Sequence, residues 1–336
     1  MESRRFRGLR GARRSSRREP SWSERPRPEA EPTPRPVRPA RPARPLGRVA
    51  DEMFADPAEE AAPKPAPRPP SRRSETLARI AWAVPWIVFA ILIIAVGGVT
   101  FMAAMVALAC IGCAELFRMT HAAKPFAPVG FIVAAGLIVA AHFGTARSMG
   151  LAIVAAFPLM FLLAITRPSI KNVTYSIATT LFAIAWIGVP FAHAVLLRDL
   201  PLHGAALLVD VVIATFVADT CAYGGGRLFG RRPLAPTLSP NKTVEGLLAG
   251  FIGGTMGFWF AGLYQDWLAG VDALMMGACI GLLAPMGDLF ESMIKRDLDV
   301  KDSGRAFGPH GGLLDRLDAV LFTVVAGYYV SQAVLG

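Results

Sequence analysis

Cysteine, histidine and, beyond residue 76, net charge are all scarce in this chain. The four cysteines, Cys110, Cys113, Cys221 and Cys279, fall in or beside apolar runs, which argues against a disulfide framework. Cys110 and Cys113 form a C-x-x-C, but no second pair or nearby histidine completes a zinc site. Only 18% of the 336 residues are charged while 53% are hydrophobic, a balance too apolar for an ordinary soluble domain and suited to an integral membrane protein. The net charge of +10 is concentrated: residues 1–76 hold 18 Arg and one Lys against 11 acidic residues, a balance of +8, so the rest of the chain carries only +2. No internal repeat is evident, which weakens an inverted-repeat transporter reading.

Residues 1–76 are built from Arg, Pro, Ala and Glu, with too little apolar surface to offset the entropy of ordering. They also lack the short apolar core and small-residue cleavage site of a secretory signal. This stretch reads as a disordered, basic, Arg/Pro-rich cytoplasmic tail, with repeated arginines suited to anionic lipid headgroups. From residue 77 onward nine apolar segments approach the roughly 20 residues that a spanning helix needs. Their cores are 78–96, 99–117, 127–143, 149–165, 174–197, 204–222, 243–264, 271–290 and 313–334. With the tail inside, the cytoplasmic loops hold twelve Lys and Arg and the opposite loops only Arg147 and Arg198, so the positive-inside rule supports nine spans with the N-terminus cytoplasmic. The expected fold is therefore all-α and polytopic. Residues 77–200 form N-terminal transmembrane helices, and 201–336 a C-terminal catalytic transmembrane region.

The charge that remains is clustered. Ser292 to Asp318 packs Lys295, Arg296, Lys301, Arg305, Arg316, five aspartates and His310 between two apolar segments. The topology brings Asp219, Asp288 and Asp315, from three different helices, to the same cytoplasmic depth, where ionisable groups near hydrocarbon point to function. Asp288, Glu291, Ser292 and Lys295 share one helical face, and Asp315 and Asp318 another. Carboxylates from two helices suit a hard divalent cation such as magnesium, and nearby bases suit phosphates. A second basic segment follows Asp219. Gly224, Gly225 and Gly226 permit close backbone approach, and Arg227, Arg231, Arg232 and Lys242 supply charge in what reads as a loop, although it matches no P-loop or dinucleotide fingerprint. Ser239 or Thr243 is placed to cap the seventh helix, whose amides would face an anion. His310 is suited to orient a phosphate or shuttle a proton. His121, His142, His193 and His203 lack ligand spacing and read as structural or interfacial. Glu115 and Asp210 sit in apolar segments with no evident partner.

The island resembles the signature of the phosphatidate cytidylyltransferases, or CDP-diacylglycerol synthases. The matching residues are Ser292, Lys295, Arg296, Lys301, Asp302, His310, Gly311, Gly312, Asp315, Arg316 and Asp318. Upstream, Asp219, Ala222, Tyr223, Gly226 and Arg227 are similar to one family element, and Ser239, Pro240, Lys242, Thr243, Glu245 and Gly246 to another. The chain departs from the common pattern at Gly308-Pro309, where many members have the reverse order, and at Val244, where many have an aromatic residue.

The resemblance implies transfer of the cytidylyl group of CTP to phosphatidic acid, giving CDP-diacylglycerol and pyrophosphate. It implies Asp288 and Asp315, with Asp219 third, as ligands of magnesium, with or without a second cation. Lys295, Arg296, Lys301 and His310 complete the expected catalytic set. Tyr223, Arg227, Ser239, Lys242, Thr243, Glu245, Ser292, Asp302, Arg316 and Asp318 are expected at the substrates. The Arg/Ala/Pro richness of the chain points to a bacterial inner membrane, the topology and the implied substrates to a site facing the cytoplasm, and the family to a homodimer; no nucleic-acid partner is expected. Another CTP-dependent lipid nucleotidyltransferase, a lipid kinase and an ion-coupled transporter remain alternatives.

Overall fold

The computed structural model describes residues 88–304 and 311–335. The basic tail, the first half of the expected first span, Arg305 and His310 lie outside these residues. Residues 88–96 are helical and turn at Gly97 and Gly98, both with positive φ, into α1, Gly98–Met119. There follow α2, Ala127–Phe143, α3, Ala146–Ile165, and α4, Val173–Arg198. The second half consists of α5, Gly204–Phe229, a hairpin of β1, Pro233–Ala235, and β2, Ser239–Thr243, then α6, Val244–Gly262, α7, Gly270–Asp297, and α8, Leu314–Leu335. Seven of these helices are long and apolar enough to cross a membrane, and α2 is an apolar helix of 17 residues. Apart from the hairpin, the described elements are helical, so the protein is an all-α polytopic membrane protein.

Two of the site-bearing helices are longer than a bilayer crossing requires. At a rise of 1.5 Å per residue, the 26 residues of α5 and 28 of α7 extend about 39 and 42 Å, past the roughly 30 Å hydrocarbon core of a bilayer. Their surplus turns carry charge: Arg227 on α5, and Lys295 and Arg296 on α7.

In lipid, apolar side chains gain little by leaving their surroundings, so helix pairing relies on close packing of small residues and on interhelical hydrogen bonds. The α5–α6 pair uses the first device. A Cβ added at Gly225 would meet the Ala249 Cβ at 2.3 Å, and one at Gly250 would meet the Ala222 Cβ at 2.9 Å and the Ala218 carbonyl at 3.0 Å. The seam continues into α7, where Gly254 of α6 faces Gly281. The α5–α8 pair adds the second device: Thr215 Oγ1 donates to Thr323 Oγ1 at 2.8 Å, with both residues buried.

This seam corrects one expectation. Gly224, Gly225 and Gly226 do not open a loop; α5 runs on through them to Phe229. Glycine costs helix stability in water, but here its missing side chain admits the neighbouring helix. The connection that remains is the hairpin, in which Pro233 pairs with Thr243 and Ala235 with Ser239.

Helix α4 lies at the centre of the bundle and is the most buried of the candidate spans. Pro190 removes an N–H from it, and the helix adjusts with a π-turn at Ile184–Gly188, where Val189 N–H donates to the Ile184 carbonyl five residues back. Within that turn Trp186 meets Phe182 and Phe290, both at 5.3 Å between ring centroids, which ties α4 to α7.

Replacing Gly250 with Leu should destabilise the fold by about 1–3 kcal/mol through overpacking. Leu248→Val, on the outward face of the same helix, should stay within about 0.5 kcal/mol. Thermal unfolding of the two purified variants in detergent measures the contrast.

Candidate active site

The odd-numbered helices α1, α5 and α7 end, and α6 and α8 begin, at one end of the bundle. Two polar networks form there. In the first, Lys242 at the end of β2 pairs with Asp288 of α7. The Lys242 ammonium nitrogen is buried at this contact. Asp219 of α5 lies within electrostatic range of both residues, and Asp318 of α8 within range of Asp219, Asp288 and Glu291. Acidic groups therefore outnumber the single lysine of this network.

The second network joins α7 to α8. Lys295 Nζ donates to Glu291 Oε2 at 2.7 Å, one helical turn back, and to Asp315 Oδ1 at 2.8 Å. Asp315 Oδ2 accepts from the backbone N–H groups of Ser303 and Gly312 at 3.0 and 2.7 Å, and lies 3.0 Å from Ser303 Oγ. Glu291 is buried, and its Oε1 has no hydrogen-bond partner among the described residues.

The hairpin presents Lys242 and opens α6. Thr243 caps that helix by accepting from Gly246 N–H at 3.1 Å, as the sequence suggested, whereas Ser239 pairs in the strand. Glu245 Oε2, in the first turn, accepts the backbone N–H groups of Arg231 and Arg232 at 3.0 and 3.2 Å and so holds the hairpin's first strand against α6. Arg296 Nε donates to the Leu238 carbonyl at 3.4 Å, which brings the hairpin turn to the end of α7.

Not every expected residue joins these networks. Arg227 Nη1 donates to the Tyr223 hydroxyl at 3.1 Å, and both side chains are exposed at the end of α5. Lys301 and Asp302 are exposed beyond α7, while Ser292 lies half-buried on α7 beside Glu291. His310 falls outside the described residues. Nor does the chemistry sit in the apolar groove of about 610 Å³ between α5 and α6, which is lined by residues such as Val217, Cys221, Gly257 and Phe260 and contains no charged group.

Two glutamates are the residues that sequence reasoning underrated. Glu291 carried a signal, its helical phase with Asp288 and Lys295. Glu115 carried only the anomaly of a carboxyl in an apolar helix. It is fully buried on α1 and accepts from Leu313 and Leu314 N–H at 2.9 and 3.0 Å, which satisfies amides at the start of α8. Asp210, equally unexplained, accepts from Gln265 Nε2 at 2.7 Å near the far end of α5.

The comparisons with known proteins decide the lineage. The model of the cytidylyltransferase family matches residues 77–334, which is more than three quarters of the chain. This protein belongs to the cytidylyltransferase family. Among its relatives, the phosphatidate cytidylyltransferase of Thermotoga maritima is 32% identical over 215 residues, covering 57% of this chain and 80% of that protein. The phosphatidate cytidylyltransferase of Mycobacterium leprae is 38% identical over 169 residues, covering 49% of this chain and 53% of the relative. YnbB of Escherichia coli, a protein described as uncharacterized, is 41% identical over 150 residues, 43% of this chain and 50% of its own length. The chain thus spans about half the length of the Mycobacterium leprae and Escherichia coli relatives and four fifths of the Thermotoga one.

For this family member, replacing Lys295 with Met would leave Glu291 and Asp315 without their shared cation. Loss of one partner from a buried ion network costs about 3–5 kcal/mol. The double replacement of Lys295 and Glu291 by Met and Leu should recover part of that loss in thermal unfolding.

Proposed function

We propose that this protein transfers the cytidylyl group of CTP to phosphatidic acid. A phosphate oxygen of phosphatidate attacks the α-phosphorus of CTP. The bond from that phosphorus to the β-phosphate bridging oxygen breaks, releasing pyrophosphate and leaving CDP-diacylglycerol in the bilayer. The observation that carries the reading is the meeting of Asp219, Lys242, Lys295, Asp315 and Asp318, residues of the family pattern, with Asp288 at one end of an apolar helix bundle. The printed names of the Thermotoga and Mycobacterium relatives support the same reaction.

The carboxylates suit magnesium. Asp219, Asp288 and Asp318 bring three acidic groups into mutual range with only Lys242 paired among them, an excess that a divalent cation would offset. Among the described residues no three His, Cys, Asp or Glu side chains form a ready metal cage. Magnesium does not need one, since it is usually held by one or two carboxylates plus substrate phosphates and water. Asp219 and Asp288 would hold the ion; Asp315, the other expected ligand, already receives Lys295 and three donors from Ser303 and Gly312. When bound, magnesium would neutralise charge on the triphosphate and orient it.

The chain's own residues do the rest. Lys242 and Lys295 are preorganised by carboxylates, and Arg296 is held beside the hairpin, so positive groups would meet substrate phosphates without large reorganisation. Arg227, Lys301 and Arg316 would add charge at the rim. The α6 N-terminus suits a phosphate because amides and helix dipole act together there. We further propose nine spans with the N-terminus cytoplasmic, a site at the inner face of a bacterial inner membrane, and a homodimer. The excess of twelve Lys and Arg over two between the alternating loops supports the orientation. CTP would then arrive from water while phosphatidate stays in the leaflet.

Purified protein given phosphatidate, magnesium and CTP labelled at the α-phosphate should place the label in the lipid and release pyrophosphate. Label entering the lipid only from the γ-phosphate would replace this reading with a lipid kinase. Chelation should stop the transfer and added magnesium restore it. Asp288→Asn should lower kcat by about 100-fold or more while the protein keeps its unfolding temperature; near-normal turnover would sink the assignment of that residue.

A further inference from the structure

Every reacting group assigned above comes from the second half of the chain, yet one buried side chain from α1 reaches into the site. Glu115 Oε1 accepts from Leu313 N–H, and Oε2 accepts from Leu314 N–H and lies 3.1 Å from Ser303 Oγ. Ser303 Oγ is also 3.0 Å from Asp315 Oδ2, and Asp315 Oδ1 accepts from Lys295 Nζ. A continuous polar chain therefore runs from α1, through Ser303 and Asp315, to Lys295 on α7.

The backbone closes tightly around that chain. A Cβ added at Gly304 would come within 2.6 Å of Glu115 Oε1, and one at Gly312 within 2.5 Å of Oε2 and 2.2 Å of Ser303 Oγ. Glu115 is fully buried, and Ser303, Leu313 and Leu314 are each no more than 4% exposed, so water does not compete for these bonds. The Ser303 hydroxyl has one proton for two carboxyl groups. Its commitment to Asp315 consequently depends on how Glu115 is held.

We infer that Glu115 is a positioning residue for this site: it fixes Asp315 through Ser303 and the start of α8, and through Asp315 it aims Lys295 at the substrate phosphates. The inference rests on the cytidylyl-transfer reading. It also adds α1 to the elements that build the site.

The full-length protein with the variants Glu115→Gln and Ser303→Ala tests it. Glu115→Gln turns one acceptor oxygen into an amide donor facing backbone donors. Ser303→Ala cuts the link to Asp315 but leaves the bonds from Glu115 to Leu313 and Leu314. Each should lower kcat, measured per folded molecule, by about 10- to 100-fold with KM for CTP unchanged, as misplacement of a catalytic group does. Because both act through one chain, the double variant should be no slower than the slower single one. Ser303→Thr, which keeps the hydroxyl, should retain most activity. Hydrogen exchange at the Leu313 and Leu314 amides should accelerate in Glu115→Gln but not in Ser303→Ala.

Wild-type kcat in Ser303→Ala, or losses that multiply in the double variant, would overturn the inference, as would a lower unfolding temperature with kcat intact. If Glu115→Gln does not fold, the Ser303 pair of variants still decides. Absence of cytidylyl transfer by the wild-type protein would instead refute the functional reading, and the exchange measurement would still test the Glu115 contacts.

Discussion

Direct backbone contact between α5 and α6 is the interaction on which the site depends. The helices bring Asp219 and the Lys242-bearing hairpin into range of each other only because Gly225, Gly246 and Gly250 leave no side chains between them. In a lipid environment this closeness substitutes for the hydrophobic force that assembles soluble cores. Once α5, α6 and α7 are so packed, charged residues at their ends have a fixed separation. Their electrostatics follow from that geometry.

The second requirement is that no buried charge stays alone. Lys295 stands between Glu291 and Asp315, and Lys242 faces Asp288. A buried ion is costly without partners, and these pairings offset part of that cost. Asp219, which shares Lys242 with Asp288, and Asp318, whose charged neighbours are carboxylates, mark where acidic groups outnumber basic ones.

Much of this was legible in the sequence, since spanning helices are specified by uninterrupted apolar runs. The expected cores at 127–143, 149–165 and 271–290 fall within α2, α3 and α7. The cap at Thr243 was legible because capping is local. The course of α5 was not. Three consecutive glycines signal a break in a soluble helix, and the use of Gly225 and Gly226 as a packing surface depends on Ala249 and Gly246 of α6 being opposite. The hairpin escaped because Pro233, Pro236 and Pro240 argue against strands, yet Pro233 and Pro240 sit in two short edge strands, which tolerate proline, and Pro236 lies in the turn. The partners of Glu115 escaped because they lie 188 to 199 residues away, and periodicity carries no information at that range.

That separation has a consequence for assembly. Spans enter a bilayer in the order of synthesis, so α1 is in place long before α7 and α8 exist. Throughout that interval Glu115 has none of its final donors. It sits four residues from the end of α1, close enough to an interface for its carboxyl to reach water, which lowers the penalty of an unpaired acidic group in a membrane. When α8 arrives, its first amides and Ser303 replace that water. Helix α8 thus completes the hydrogen bonding of a residue made 198 to 199 residues earlier in the chain.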